Sequence, residues 1–184
     1  MTVRDDQMKS LISGCIKQDR NSQRKLYQQC YSYAMSICMR YSNGYDDAVE
    51  VLNDAFMKVF THIGQFDQSR SFKSWLRVVL INTALDHYRT NKKHNQTDEL
   101  EAAWHCAEGA SAESQLAYED LLALVSQLSP AYRTVFNLYV IDGYKHQEIA
   151  KMLDISVGTS KANLTKAKAN LRNMLQKYQL DERA

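Results

Sequence analysis

Apolar positions recur along most of the chain at three- and four-residue steps, the spacing of one face of an α-helix. Met8, Leu11, Ile12, Cys15 and Ile16 form a first stripe. Leu26, Tyr27, Cys30, Tyr31, Ala34, Ile37, Cys38 and Tyr41 form a second, and Asn43-Gly44 reads as its stop. The third is the cleanest: Ala48, Val51, Leu52, Ala55, Phe56, Val59, Phe60 and Ile63, ended by Gly64. A fourth helix is expected from about Ser71 to Asn91, burying Phe72, Trp75, Leu76, Val79 and Thr83. Its VVLI stretch is short and sits inside a helical period. From about Asn95 to Ser114 the period lapses into NQTDELEAAWHCAEGASAES, which reads as a linker holding an unplaced Trp104.

Periodicity returns at Leu121, Leu124, Val125 and Leu128, followed by Ser129-Pro130, an N-cap and a first-turn proline. The next helix carries Val135, Phe136, Tyr139 and Val140 and stops at Asp142-Gly143. A short helix from about Lys145 to Leu153, a turn at Asp154-Ile155 and a last helix capped by Ser156 complete the chain. The last helix should bury Ser160, Leu164, Ala167, Leu171 and Leu175. The expectation is an all-α fold of two small helical domains, 1–94 and 115–184, joined by an acidic linker over 95–114.

Composition narrows this further. The 184 residues include only 6 Gly and 1 Pro, too few turn formers for a sandwich or barrel. No apolar run approaches the roughly 18 residues of a membrane span, and MTVRDDQMKS lacks a signal-peptide core, so a cytoplasmic protein is expected. The net charge of +2 is an average over unlike segments. Residues 1–94 hold 14 Lys/Arg against 9 Asp/Glu, 95–129 hold none against 7, and 130–184 hold 9 against 5. Two basic blocks suit a polyanion, and the acidic stretch between them does not.

Cys15, Cys30, Cys38 and Cys106 form no CxxC pair, and His105 beside Cys106 lacks ligand spacing. The first three fall on apolar helical positions and read as core thiols, with a zinc site or redox switch as the minor alternative. The chain has no Gly-rich phosphate loop, no HExxH and no GxSxG, so neither an enzyme nor a cofactor is expected.

Three constellations carry the functional reading. YKHQEIAKMLDISVGTSKANLTKAKANLR has the layout of a helix-turn-helix, and the stretch from Ser156 to Lys177, which runs past its end, holds five cations and no acid. Thr159, Lys161, Ala162 and Asn163 stand where a helix entering a major groove reads base edges, whereas Lys168 and Arg172 suit phosphates. FDQSRSFKSWLRVVLINTALDHYRTNKKH interleaves Phe66, Phe72, Trp75 and Tyr88 with cations, a pattern for stacking unpaired bases. Phe72 and Trp75 fit the core by spacing, which leaves Phe66 on the loop as the stacking candidate, with Asn82 near a base pocket. The third is the acidic face carrying Asp46, Asp47, Glu50 and Asp54, either a solvated face or a docking surface to which Asn53 and Met57 add contacts.

Together these segments resemble the extracytoplasmic-function (ECF) group of bacterial RNA polymerase sigma factors, from about Gly14 to Leu175 and in the family's order. DDAVEVLNDAFMKVF resembles the polymerase-docking region. Phe66, Phe72, Trp75-Leu76, Asn82, Asp86 and Arg89 resemble the region that melts and reads the −10 element. LSPAYRTVFNLYVIDGYKHQEIAKMLDISVGTSKANLTKAKANLR resembles the −35 reader. GCIKQDR, the Cys38-to-Tyr41 step and GTSK are closest in style to Bacteroidetes-type members. The resemblance implies core RNA polymerase contacts at Asp47, Glu50, Asn53, Asp54 and Met57. It implies −10 DNA contacts at Phe66, Lys73, Arg77, Asn82, Arg89, Lys92 and Lys93. It implies −35 DNA contacts at Ser156, Thr159, Lys161, Ala162, Asn163, Lys166, Lys168 and Arg172. It also implies a membrane-bound anti-sigma partner, no small-molecule substrate and no cofactor. Two departures stand out: lysines or asparagine replace arginines at Lys161, Asn163 and Lys166, and Asp154 replaces the usual turn glycine. The rival reading is a helix-turn-helix repressor or activator that never meets polymerase.

Overall fold

The chain is described by a computed structural model, which covers residues 3–94 and 122–181. It divides into two units, Met1–Thr90 and Asn91–Ala184. The expected linker over 95–114, with Trp104 and Cys106, lies outside the described residues. Among the described residues there is no β-strand.

The first unit holds α1 (Val3–Ile16), α2 (Arg20–Tyr41), α3 (Tyr45–His62) with a 3₁₀ turn at Ile63–Gln65, and all of α4 (Phe72–His94) but the end beyond Thr90. The α1–α2 corner turns through Gln18 at φ 59°. Asp19 then caps α2: its carboxylate accepts from the backbone of Ser22 at 2.8 Å and of Asn21 at 3.4 Å, and from Ser22 Oγ at 2.6 Å. Those bonds, that of the Ser22 hydroxyl foremost, hold the Asp19 carboxyl below its ordinary value. Gly14 sits at the same corner because a Cβ there would run into the Ser22 side chain.

Helices α1 and α3 both pack on α2, and the 3₁₀ turn closes against α1. Phe60 of the α3 stripe, expected inside, is half-buried; the stripe otherwise follows its spacing, with Ala48, Val51, Leu52, Ala55, Phe56 and Val59 buried and Ile63 of the 3₁₀ turn buried with them. Each large side chain among them contributes roughly 1.5–3 kcal/mol by leaving water. Within α4, Leu76, Leu80, Ile81, Ala84 and Leu85 are buried, so VVLI is helical, with Leu80 and Ile81 in the core, Val78 turned outward and Val79, expected inside, half-buried. Thr83 is buried too, its hydroxyl donating to the Val79 carbonyl at 2.9 Å. Ile16, expected inside, is exposed at the end of α1.

The second unit holds helical residues 122–126, α5 (Pro130–Phe136) continued by a π turn (Asn137–Ile141), α6 (His146–Leu153) and α7 (Val157–Asp181). Helix α7 packs against both α5 and α6. Ser129 stands at the cap of α5 without a side-chain cap bond; its carbonyl accepts from the Arg133 N–H at 2.9 Å, and Pro130 opens the helix. The expected stripe Val135, Phe136, Tyr139, Val140 fails in its second half. The π turn, closed by the Asp142 N–H to the Asn137 carbonyl at 2.9 Å, inserts one residue per turn. Asn137 and Leu138 therefore point inward, and Tyr139 and Val140 are exposed. On α7, Ser160, Leu164, Ala167 and Leu171 are buried as expected, whereas Leu175 is exposed.

The Asp19 cap yields a pH prediction. Its carboxyl titrates lower folded than unfolded, so its stabilisation is complete above the unfolded value and is lost as pH falls through the folded one. Asp19→Asn should flatten the acid limb of thermal stability measured by circular dichroism between neutral pH and about pH 3. An unchanged limb would show that the cap contributes nothing.

Candidate nucleic-acid interface

The helix-turn-helix is built around one left-handed residue. Asp154 closes α6 at φ 52°, ψ 52°, and the N–H of Ile155 reaches back to the Ala150 carbonyl at 3.0 Å. This supplies the conformation usually given to glycine, which Asp tolerates better than most residues. The α6 start is tied by the Lys145 N–H donating to Glu148 Oε2 at 2.7 Å. Ser156 then caps α7, its Oγ accepting from the Thr159 N–H at 2.9 Å and lying 2.9 Å from the Thr159 hydroxyl. Both expected polar residues at this helix start are thus partly committed to holding it.

With Ser160, Leu164, Ala167 and Leu171 inside, the helical period sorts the rest of α7 into two flanks. Thr159, Ala162 and Lys166 share one, with Asn163 half-buried at its inner edge. Lys161, Lys168 and Arg172 share the other, and all three are exposed. Lys161 therefore groups with the expected phosphate contacts rather than with the base readers. Lys166 lies 6.0 Å from the centroid of the Tyr132 ring on α5. Behind the flanks, buried Ser160 Oγ is 2.9 Å from His146 Nδ1, and the His146 ring stacks on Tyr139 at 4.4 Å. That cluster joins the π turn, α6 and α7 and had no sequence signal, because its members are 7 and 14 residues apart across irregular backbone.

In the first unit the loop before α4 departs from expectation. Phe66, read as the exposed stacking ring, is only 7% exposed. It packs edge-on to Phe72 at 5.5 Å and against Trp75 at 5.3 Å. The apolar ring gains more by closing this aromatic cluster than by standing in water. Trp75 is half-buried, so it is the more accessible of the three. The loop itself is organised by Asp67, which accepts from the Ser69 N–H at 3.0 Å and Oγ at 2.7 Å; these bonds and Arg70 at 3.3 Å lower its carboxyl pKa.

The expected strand-holding cations are distributed along α4. Lys73 is exposed and stands 4.3 Å over the Tyr33 ring, Arg77 is half-buried and Asn82 is exposed. Arg89 donates to Asp86 at 2.7 Å, and Lys58 meets the same carboxylate at 3.0 Å. Lys92 and Lys93 belong to α4, but their side chains lie outside the described residues.

On α3 the expected docking set lies on the outward face, with Met57 67% exposed and Tyr45 also in the open. Asp47 has a structural task as well: it accepts the Asn43 N–H at 2.9 Å ahead of a helix whose cap residue, Gly44, has no side chain to offer. Asn53 accepts from the Tyr27 hydroxyl at 3.4 Å. Asp54 accepts from His87 Nε2 at 2.8 Å. His87, 33 residues away on α4, is a component of this face that sequence spacing could not reveal. The three described thiols are buried; burial raises Cys15 to about 11, Cys38 to about 12 and Cys30 upward, the behaviour of core thiols.

This geometry, an acidic helix face, an aromatic and basic helix and a separate helix-turn-helix, agrees with the comparisons. The Sigma-70 region 2 family model matches residues 26–94, and the Sigma-70, region 4 family model matches residues 118–171. The ECF RNA polymerase sigma factor SigW of Bacillus subtilis is 30% identical over 166 residues, 82% of this chain and 83% of that protein. The chain belongs to the ECF RNA polymerase sigma factors. The fold of this sigma factor is also that of solved structures. One is the sigma factor RpoE in complex with the anti-sigma factor NepR from Bartonella quintana, with a TM-score of 0.53, 21% identity and coverage of 83% of this chain and 96% of that one. Another is CnrH in complex with the cytosolic domain of CnrY, with a TM-score of 0.50, 19% identity and coverage of 93% and 98%. No described helix of this sigma factor is long and apolar enough to cross a membrane.

The turn residue gives a second prediction. Asp154→Gly should leave stability and promoter binding near those of the parent chain, whereas Asp154→Val should cost roughly 1–2 kcal/mol for forcing a β-branched residue left-handed. Chemical denaturation of both variants measures the difference.

Proposed function

We propose that this sigma factor is a dissociable initiation subunit whose two units divide the promoter between them. The observation that carries this reading is the presence, in one chain and in order, of a region 2 unit and a region 4 helix-turn-helix. The region 2 match is what a polymerase-independent repressor or activator would lack. Core RNA polymerase docks on the outward face of α3 through Asp47, Glu50, Asn53, Asp54 and Met57, where exposed acids surround one adaptable apolar side chain. Residues 1–94 take the −10 strand, with Lys73, Arg77, Arg89, Lys92 and Lys93 following its backbone and Asn82 offering hydrogen bonds. Trp75 takes the stacking role first expected of Phe66, which engages a base only if the aromatic cluster opens. Residues 115–184 take the −35 duplex, Thr159, Ala162, Asn163 and Lys166 facing bases and Lys161, Lys168 and Arg172 facing phosphates. Ser156 fixes the approach of the helix.

Melting is driven in this scheme by binding energy, with no bond made or broken by the sigma factor and no cofactor. The chain works in the cytoplasm, where its polymerase is. An anti-sigma protein is the expected regulator, by analogy with the NepR complex of a protein of the same fold; anchoring in the membrane fits the complex of CnrH with a cytosolic domain of its partner.

Run-off transcription with purified core polymerase on genomic DNA tests the scheme. The chain should direct starts at discrete promoters. The triple variant Glu50→Ala, Asn53→Ala, Asp54→Ala should bind core at least about tenfold more weakly, a loss of about 1.4 kcal/mol. Normal core binding by that variant, together with an absence of promoter-specific starts by the parent chain, would sink the reading. With holoenzyme assembled, Lys168→Ala should lower the salt slope of promoter affinity by about one without altering sequence preference. An equal slope would remove Lys168 from the phosphate contacts.

A further inference from the structure

We propose that Asp47, Glu50 and His87 form a binding site for a divalent transition-metal ion on the outward face of α3. The three residues come from two helices, and one ligand atom from each lies within 4.8 Å of the other two. Donors around a tetrahedral zinc ion stand about 3.3 Å apart, so closure on an ion draws the three groups together by rotamer changes of about an ångström or more. An imidazole converging on two carboxylates separates this group from a run of surface acids. One nitrogen with two carboxylate oxygens suits zinc or cobalt(II) better than calcium or magnesium, which take oxygen throughout.

Two of the three ligands are already oriented from behind. His87 Nε2 lies 2.8 Å from the Asp54 carboxylate, and in the tautomer that donates there Nδ1 keeps a lone pair for an ion. Asp47 Oδ2 is held by the Asn43 N–H at 2.9 Å, which leaves the second oxygen of that carboxylate for an ion. Asp47 and Glu50 also stand one turn apart on α3, where two negative charges repel each other and a cation between them relieves the repulsion. The described thiols are poor competitors: Cys15, Cys30 and Cys38 are buried and protonated near neutral pH.

The test uses the full chain, tag-free and stripped of metal, without polymerase, so its outcome is independent of the docking scheme. Zinc chloride is titrated by calorimetry, and cobalt(II) chloride by absorption. The expected result is one ion per chain, with affinity falling about tenfold or more in Glu50→Gln and in His87→Gln. Bound cobalt should show no sulfur-to-metal charge-transfer band, and Cys106→Ser should bind as the parent does. Glu50 is exposed, so its variant keeps the packing intact even if His87→Gln perturbs the fold. Binding unchanged in Glu50→Gln, or a thiolate band accompanying the cobalt, overturns the site.

Discussion

The buried stripe of α3 constrains the first unit more than any single contact. Ala48, Val51, Leu52, Ala55, Phe56, Val59 and Ile63 all lie inside, at steps of three and four residues. Rotating the helix by one residue would take that stripe through 100° and expose several large side chains at a cost of a few kcal/mol each. No surface ion pair competes with that. The outward position of Glu50, Asn53, Asp54 and Met57 is therefore a consequence of the core, not of any preference of those residues. The ties from α3 to α4, Asp54 with His87 and Lys58 with Asp86, are then made between faces the core has already oriented.

Those ties bear on how the basic residues of α4 become available to a nucleic acid. Arg89 is paired with Asp86, and both side chains are about half exposed. Exposed pairs of this kind contribute about 0–1 kcal/mol and weaken with salt. A phosphate competes with Asp86 at little cost, so the pair positions Arg89 without sequestering it. The near-neutral total charge of the chain hides the same arrangement. Acids on α3, cations on α4 and cations on α7 occupy separate helical faces, and their fields add only within a Debye length of about 10 Å.

The helices, the two-unit division of the pattern and the inner face of α3 were legible in the sequence because each rests on a repeated local spacing. What escaped was set by single backbone events or by distant partners. Val135, Phe136, Tyr139 and Val140 form a valid α-helical stripe, and only the extra residue of the π turn moves Asn137 and Leu138 into their place. Phe66 lies outside any helical period, so nothing local indicates whether it faces water or the Phe72–Trp75 cluster. At the candidate sites, residue types and helix faces could be read, but His87 beside Asp54 could not, because 33 residues and a loop separate them. Asp154 shows the opposite case: a turn was readable there from the sequence, and its left-handed backbone was expected from the glycine that the family resemblance places at that position.

The recognition helix poses the remaining physical question, how a helix with so little arginine reads bases. Lys lacks the planar fork that grips guanine at two points, so Lys161 and Lys166 supply charge with little base discrimination. In the proposed scheme specificity then falls to Thr159, Ala162 and Asn163, short side chains that reach base edges only if the backbone itself comes close. Close approach requires a rigid, correctly pitched start to α7. The molecule provides that rigidity in consecutive pieces: the left-handed Asp154, the Ser156 cap, and Ser160 bonded inward to a His146 ring that stacks on Tyr139. In that scheme the polar cluster behind the helix compensates for the short side chains: it sets the distance from which the bases are to be read.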